Sequence, residues 1–163
     1  MLESQFILHE DSLAAIQHVI DGLVADAGAR SVFVVDKTGQ LVAQAGALDG
    51  LDSTSLASLT AGCVAASEGL ARLLGEKEFP HHFHQGEDES LHMTRVGHRG
   101  ILVVVFGLQV PLGLVRLRVR RASGELAAVL EDARKKSDTG GAGKSSAFSE
   151  ITDDEIDNLF PDE

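Results

Sequence analysis

Ser31-Val-Phe-Val-Val-Asp36, Lys37-Thr38-Gly39 and Gln40-Leu-Val-Ala-Gln-Ala45 form the stretch from which the fold can be read. The first part is a short β-branched run, the middle makes a tight turn, and the last is a second short apolar run. The pattern predicts a hairpin. Upstream, Leu13, Ile16, Val19, Ile20 and Leu23 recur at helical spacing, with Asp11 or Ser12 as cap and Gly28 as stop. Downstream, Asp52 or Ser53 opens a second helix that runs to about Leu74, where Gly75 stops it.

Phe79 to Gln85, Leu91 to Val96 and Ile101 to Phe106 read as three further strands, broken by Gly86 and by Gly97 to Gly100. Pro80 suits an edge strand, because it cannot donate to a ladder. Val115 to Arg121 alternates like a strand. Yet Leu112, Val115, Val119, Ala122, Leu126, Val129 and Ala133 make an unbroken helical stripe, and Pro111 fits a first turn. The longer pattern decides for helix, to about Lys135. The order is α-β-β-α-β-β-β-α. Such closely spaced strands need mostly antiparallel neighbours. An α+β fold follows, with one five-stranded sheet between helices.

Residues 1–135 read as one domain. Lys136 to Ala147 is a Gly/Ser-rich stretch, predicted to be a flexible linker. Residues 148–163 read as an acidic interaction helix, with Thr152 and Glu155 as a capping box and Pro161 as its stop. Ile156, Leu159 and Phe160 fall at i, i+3 and i+4, with Ile151 just upstream. Such a short helix is marginal alone in water, so these residues are expected to dock in a partner's groove.

The net charge of −11 argues against nucleic acid. It is unevenly placed: from Glu150 onward there are seven acids and no Lys or Arg, whereas Arg116 to Arg121 is basic. The opening residues carry no basic n-region or long apolar stretch, and no run is long enough to span a membrane, so a cytoplasmic location is expected. The lone Cys63 excludes an intramolecular disulfide and reads as a small buried hydrophobe.

Candidate chemistry is sparse. His81, His82 and His84 share one strand. Alternation puts His82 and His84 on one face, and His81 with Phe79 and Phe83 on the other. Nothing fixes convergent metal ligands, so no metal is expected; the strand reads as solvated or as a dimer interface carrying Phe79, His81 and Phe83. The glycines match no phosphate loop, and no cofactor is expected. Arg116, Arg118, Arg120 and Arg121 could meet an acidic partner or a nucleotide phosphate, or simply face water. In the second helix Ala61, Ala65 and Gly69 recur every four residues, with Gly62 and Ala66 beside them. Each glycine inside a helix costs about 1 kcal/mol relative to alanine. The compensation is either packing on the sheet or an interface, and an interface is preferred. No constellation of base, nucleophile or ligands appears, so no enzyme is expected.

These residues resemble the Roadblock family of dynein-light-chain-like adaptors. The resemblance is carried by SVFVVDKTGQLVA over the hairpin, DSTSLASLTAGCVAASEGLARLLGE over the second helix and LGLVRLRVRRASGEL over the third. The ending EITDDEIDNLF is similar to the tail of family members from gliding bacteria. The resemblance implies a homodimer that binds a small Ras-like GTPase, two regulator subunits per GTPase, accelerates GTP hydrolysis and concentrates at a cell pole. It further implies that Ala61, Ala65 and Gly69 face the GTPase, and that the tail docks on it separately; Gly62, Ala66, Arg116 and Arg120 are expected to join the same GTPase-binding surface. A scaffold without effect on hydrolysis and a nucleotide-exchange factor are the alternatives.

Overall fold

A computed structural model describes residues 8–148 of the chain. The element order is α1 (Glu10–Ala27), β1 (Ser31–Asp36), β2 (Leu41–Gly46), α2 (Ser53–Leu73), β3 (His81–Gln85), β4 (Glu89–Val96), β5 (Gly100–Gly107) and α3 (Leu112–Phe148). The five strands form one sheet in the order β2-β1-β5-β4-β3, and every pairing is antiparallel. The predicted order and α+β architecture are those observed.

α1 and α3 cover one face of the sheet. Ile16, Ile20 and Leu23 of α1 and Val115, Val119, Ala122 and Leu126 of α3 bury against Val32, Val34, Leu102, Val104 and Phe106. α2 covers the other face, where Ala57 and Val64 pack on Phe33, Val35, Met93, Ile101, Val103 and Val105. β1 and β5 are therefore apolar on both faces and read as continuous runs. β3 and β2 are the two edge strands, and most residues of β3 are exposed.

Several boundaries differ from the sequence reading, each for a local reason. The residue that caps α1 is His9, without a side-chain bond, and Gly28 ends the helix in the left-handed region. Pro111 stands just before α3, where its carbonyl accepts from Leu114 and Val115. β3 starts at His81, two residues later than predicted; the Pro80 carbonyl accepts from the Arg95 N–H, but Pro80 itself can donate nothing. The largest difference is residues 136–147, read as a linker from composition. α3 continues through them to Phe148. Extending an existing helix carries no new nucleation cost, so these residues need not start a helix of their own. The Thr139 hydroxyl also turns back onto the carbonyls of Lys135 and Lys136 at 3.0 Å. The tail positions Ile151, Ile156, Leu159 and Phe160 lie outside the described residues.

The β1–β2 turn is tied to the β4–β5 turn beside it at the same end of the sheet. Asp36 accepts from the Thr38 N–H at 3.1 Å and from the Thr38 hydroxyl, and Arg99 Nε donates to it at 3.2 Å. The Lys37 N–H adds a bond to the Arg99 carbonyl at 2.7 Å. Burial pushes the Asp36 carboxyl up, but the donors from Arg99 and Thr38 outweigh it and hold it below its ordinary 3.8. A lowered carboxylate stabilises the fold above its unfolded pKa and loses that contribution as pH falls through the folded one. Asp36→Asn should therefore cost about 1–2 kcal/mol at neutral pH. The deficit should shrink below pH 3.8. Urea unfolding of both forms at neutral and acid pH checks this; a deficit independent of pH would contradict it.

Candidate interaction surface

α2 begins at a well-made cap. Asp52 accepts from the Ser55 N–H at 3.1 Å and from its hydroxyl at 2.6 Å. Its other end stops at Leu74, followed by Gly75 at φ +76°. One stripe, Ala57, Thr60, Ala61, Val64 and Ala71, is buried on the sheet. Farther along, Arg95 of β4 donates to Glu68 at 2.5 Å and to Glu78 at 3.0 Å, tying the helix to the β3–β4 side. Those two carboxylates occupy the Arg95 guanidinium.

The small residues singled out in the sequence do not all behave alike. Ala61 is buried at the edge of the packed stripe, Gly69 is half-buried, and Gly62, Ala65 and Ala66 are exposed. The stripe spaced by four drifts around a helix of 3.6 residues per turn, so only its first member, Ala61, stays on the sheet. A Cβ added at Gly62 or Gly69 would meet nothing within 4 Å. Internal packing therefore does not require these glycines, which favours the interface reading of the two.

What the sequence reading missed is the leucines around them. Leu59, Leu70 and Leu73 are 74%, 58% and 84% exposed. They share the outward side of α2 with Gly62 and Ala66, making an apolar face of flat glycine and alanine flanked by leucine. A helix apolar on every side is normally buried on every side. The signal was available: α2 has no wholly polar stripe. Isolated exposed leucines are ordinary, but a contiguous apolar face marks a contact surface.

Gly62→Ala with Gly69→Ala gives a prediction of opposite signs. The pair should raise the stability of the isolated chain by about 1–2 kcal/mol through helix propensity. It should also weaken any complex that brings a backbone against this face. Thermal unfolding and partner titration together check it; lower stability in the isolated chain would contradict it.

The other predicted residues lie elsewhere. Arg116 and Arg120 are exposed on α3, so the sheet separates them from α2. The structure brings them instead toward His81, whose ring stands 5.9 Å from that of His92. His92 was not anticipated: β4 alternation does not reveal that α3 covers it. Burial pushes its imidazole down to about 4, aided by the positive charges of His81 and Arg116. Phe83 stacks on Phe106 at 6.2 Å, which places it on the α1/α3 face of the edge strand. His82 and His84 face the α2 side, in register with Met93 and Leu91. Phe79 precedes the strand and is half-buried. Cys63 is half-buried in α2. Among the described residues, no group of three or more His, Cys, Asp or Glu could hold a metal, and no helix is long and apolar enough to cross a membrane.

An antiparallel five-stranded sheet with two helices on one face and a single apolar-surfaced helix on the other defines the class of fold. Residues 15–106 match the Roadblock/LC7 domain, and the chain belongs to that family. Among solved structures it is similar to MglB of Myxococcus xanthus, with 52% identity, a TM-score of 0.75, and coverage of 78% of this chain and 96% of that one. It is similar also to the gliding protein MglB of Thermus thermophilus, at 34% identity and a TM-score of 0.74, over 80% of this chain and 99% of that one. An MglB described with a tetrameric arrangement matches at 33% identity and a TM-score of 0.76, over 81% of this chain and 99% of that one. Comparison with curated proteins finds no match.

Proposed function

We propose that the chain is a homodimeric adaptor that binds a small Ras-like GTPase of the MglA type and stimulates its GTP hydrolysis, setting cell polarity or gliding motility. The observation that carries this reading is the outward face of α2, where exposed leucines flank glycines with open space above them, on a fold similar to MglB. Two regulator subunits per GTPase would present paired α2 helices as one platform. The exposed edge strand β3, with Phe79, His81 and Phe83, would supply the dimer seam. The acidic tail would dock separately through Ile151, Ile156, Leu159 and Phe160. The regulator would work in the cytoplasm, gathered at a cell pole.

The arginines support an indirect mechanism. Arg95 is held by Glu68 and Glu78, Arg99 by Asp36, and Arg116 and Arg120 lie across the sheet from α2. None of these four is poised on the α2 platform as an inserted finger; the arginine on α2 itself is Arg72, exposed in its last turn, and its alanine variant is the sharpest arm of the arginine test. Phosphoryl transfer depends mainly on positioning and charge stabilisation, so a regulator can act by ordering the GTPase's own groups.

Single-turnover hydrolysis and nucleotide release by a purified MglA-type GTPase test the reading. Faster hydrolysis with unchanged release is expected. Faster release alone would make the chain an exchange factor, and binding without either effect a scaffold. Deleting Ala147 to Glu163 should weaken partner affinity; unchanged affinity would refute tail docking. Alanine at each arginine should leave turnover intact, and lost turnover with binding retained would overturn the indirect mechanism.

A further inference from the structure

On the sheet face opposite the outward leucines, a cavity of about 410 Å³ opens between β3, β4 and α3. Its lining includes His81, His92, Thr94, Arg116, Arg120 and Ser123. The chain as a whole carries a net charge of −11, yet among the described residues no Asp or Glu lines this cavity. Arg95 also borders it, but its guanidinium is committed to Glu68 and Glu78. Arg116 and Arg120, one helical turn apart, have no ion-pair partner among the described residues. The Ser123 hydroxyl is buried and has no hydrogen-bond partner among the described residues. Thr94 Oγ1 sits between two imidazoles, 3.1 Å from His81 Nδ1 and 3.3 Å from His92 Nδ1. The cavity between α1 and α3 is different. There Asp26 and Glu125 accompany Arg118 and Arg121, so its charges balance internally.

The geometry points to a binding site in this cavity for a small phosphate-class oxyanion, held by Arg116 and Arg120 with donors from Ser123 and from either His81 or Thr94, whose mutual hydrogen bond leaves one donor between them. Guanidinium forks match oxyanions bidentately, and hydroxyl and imidazole groups on the facing strands can meet the remaining oxygens. An anion would also relieve the accumulated positive charge that now opposes protonation of His92.

The chain's own acidic end is the rival occupant, and reach argues against it. Phe148 lies 32 residues beyond Arg116 along α3, roughly 48 Å at the helical rise of about 1.5 Å per residue. The 15 residues after Phe148 extend at most about 50 Å. Only a nearly straight chain could return, with almost none of its conformational freedom left. A small oxyanion meets no such constraint.

The test is titration of the full-length protein with inorganic phosphate at constant ionic strength, followed by the imidazole NMR signals of His81 and His92. Saturable shifts are expected in the millimolar range, together with a rise in the His92 pKa; chloride should produce neither. Arg116→Gln with Arg120→Gln should weaken phosphate at least about tenfold. Both side chains are exposed, so the variant should keep its fold, checked by thermal unfolding. Ser123→Ala provides a milder second variant. Equal shifts with chloride, or undiminished phosphate binding in the double variant, would overturn the site. So would a synthetic peptide of residues 149–163 that shifts these signals when phosphate does not.

Discussion

Replacing Leu70 and Leu73 together by aspartate should leave the chain folded and abolish partner binding, with affinity falling at least about 100-fold. Both side chains are more than half exposed, so the isolated fold loses little apolar burial. Surface substitutions away from special features usually stay within about 0.5 kcal/mol. Fully burying a leucine side chain is worth about 1.5–3 kcal/mol, and a carboxylate in its place adds an unpaired buried charge. At about 1.4 kcal/mol per factor of ten, two such losses exceed a hundredfold. Thermal unfolding and partner titration on the same preparation separate the effects. Retained binding would remove the α2 face from the interaction, and loss of the fold would place these leucines in the core.

Phe33→Ala should produce the largest loss of stability, about 3–5 kcal/mol. Phe33 is fully buried at the centre of the sheet, among the residues on which α2 packs. Its ladder partners, Gln44 on β2 and Val103 on β5, fix its place on that face. Nothing nearby can move in without shifting β5 or α2, so a cavity would remain. At about 2–4 °C per kcal/mol for a chain of this size, the melting temperature should fall by about 10 °C. Because the void lies under α2, partner affinity should weaken as well, and a variant with unchanged melting would show that α2 does not depend on this packing.

The hairpin and the helix order were legible because their signals are local. Gly39 turns the chain between β1 and β2, Gly28 ends α1, and Gly75 follows the end of α2. Gly46 shows the same kind of fit: at φ +91° its missing Cβ leaves room for the Arg30 carbonyl. The two sheet faces were legible too, since strand alternation alone puts His81 and Phe83 opposite His82 and His84. What the sequence hid depends on the finished fold. Leu59, Leu70 and Leu73 look like core residues until the sheet is seen to take only one side of α2. His92 looks like an ordinary strand residue until α3 is laid over it. The composition of 136–147 indicates a linker, but continuation of an existing helix depends on what precedes it. Arg116 and Arg120 belong to a different layer from α2, and only the layer order, which composition does not carry, separates them from it.

The most direct measurement of the central claim is single-turnover GTP hydrolysis by a purified MglA-type GTPase, alone, with this protein, and with the Leu70→Asp, Leu73→Asp variant. Hydrolysis should accelerate with the natural sequence and return to the GTPase's own rate with the variant. An unchanged rate with the natural sequence, or full acceleration by the variant, would contradict the account.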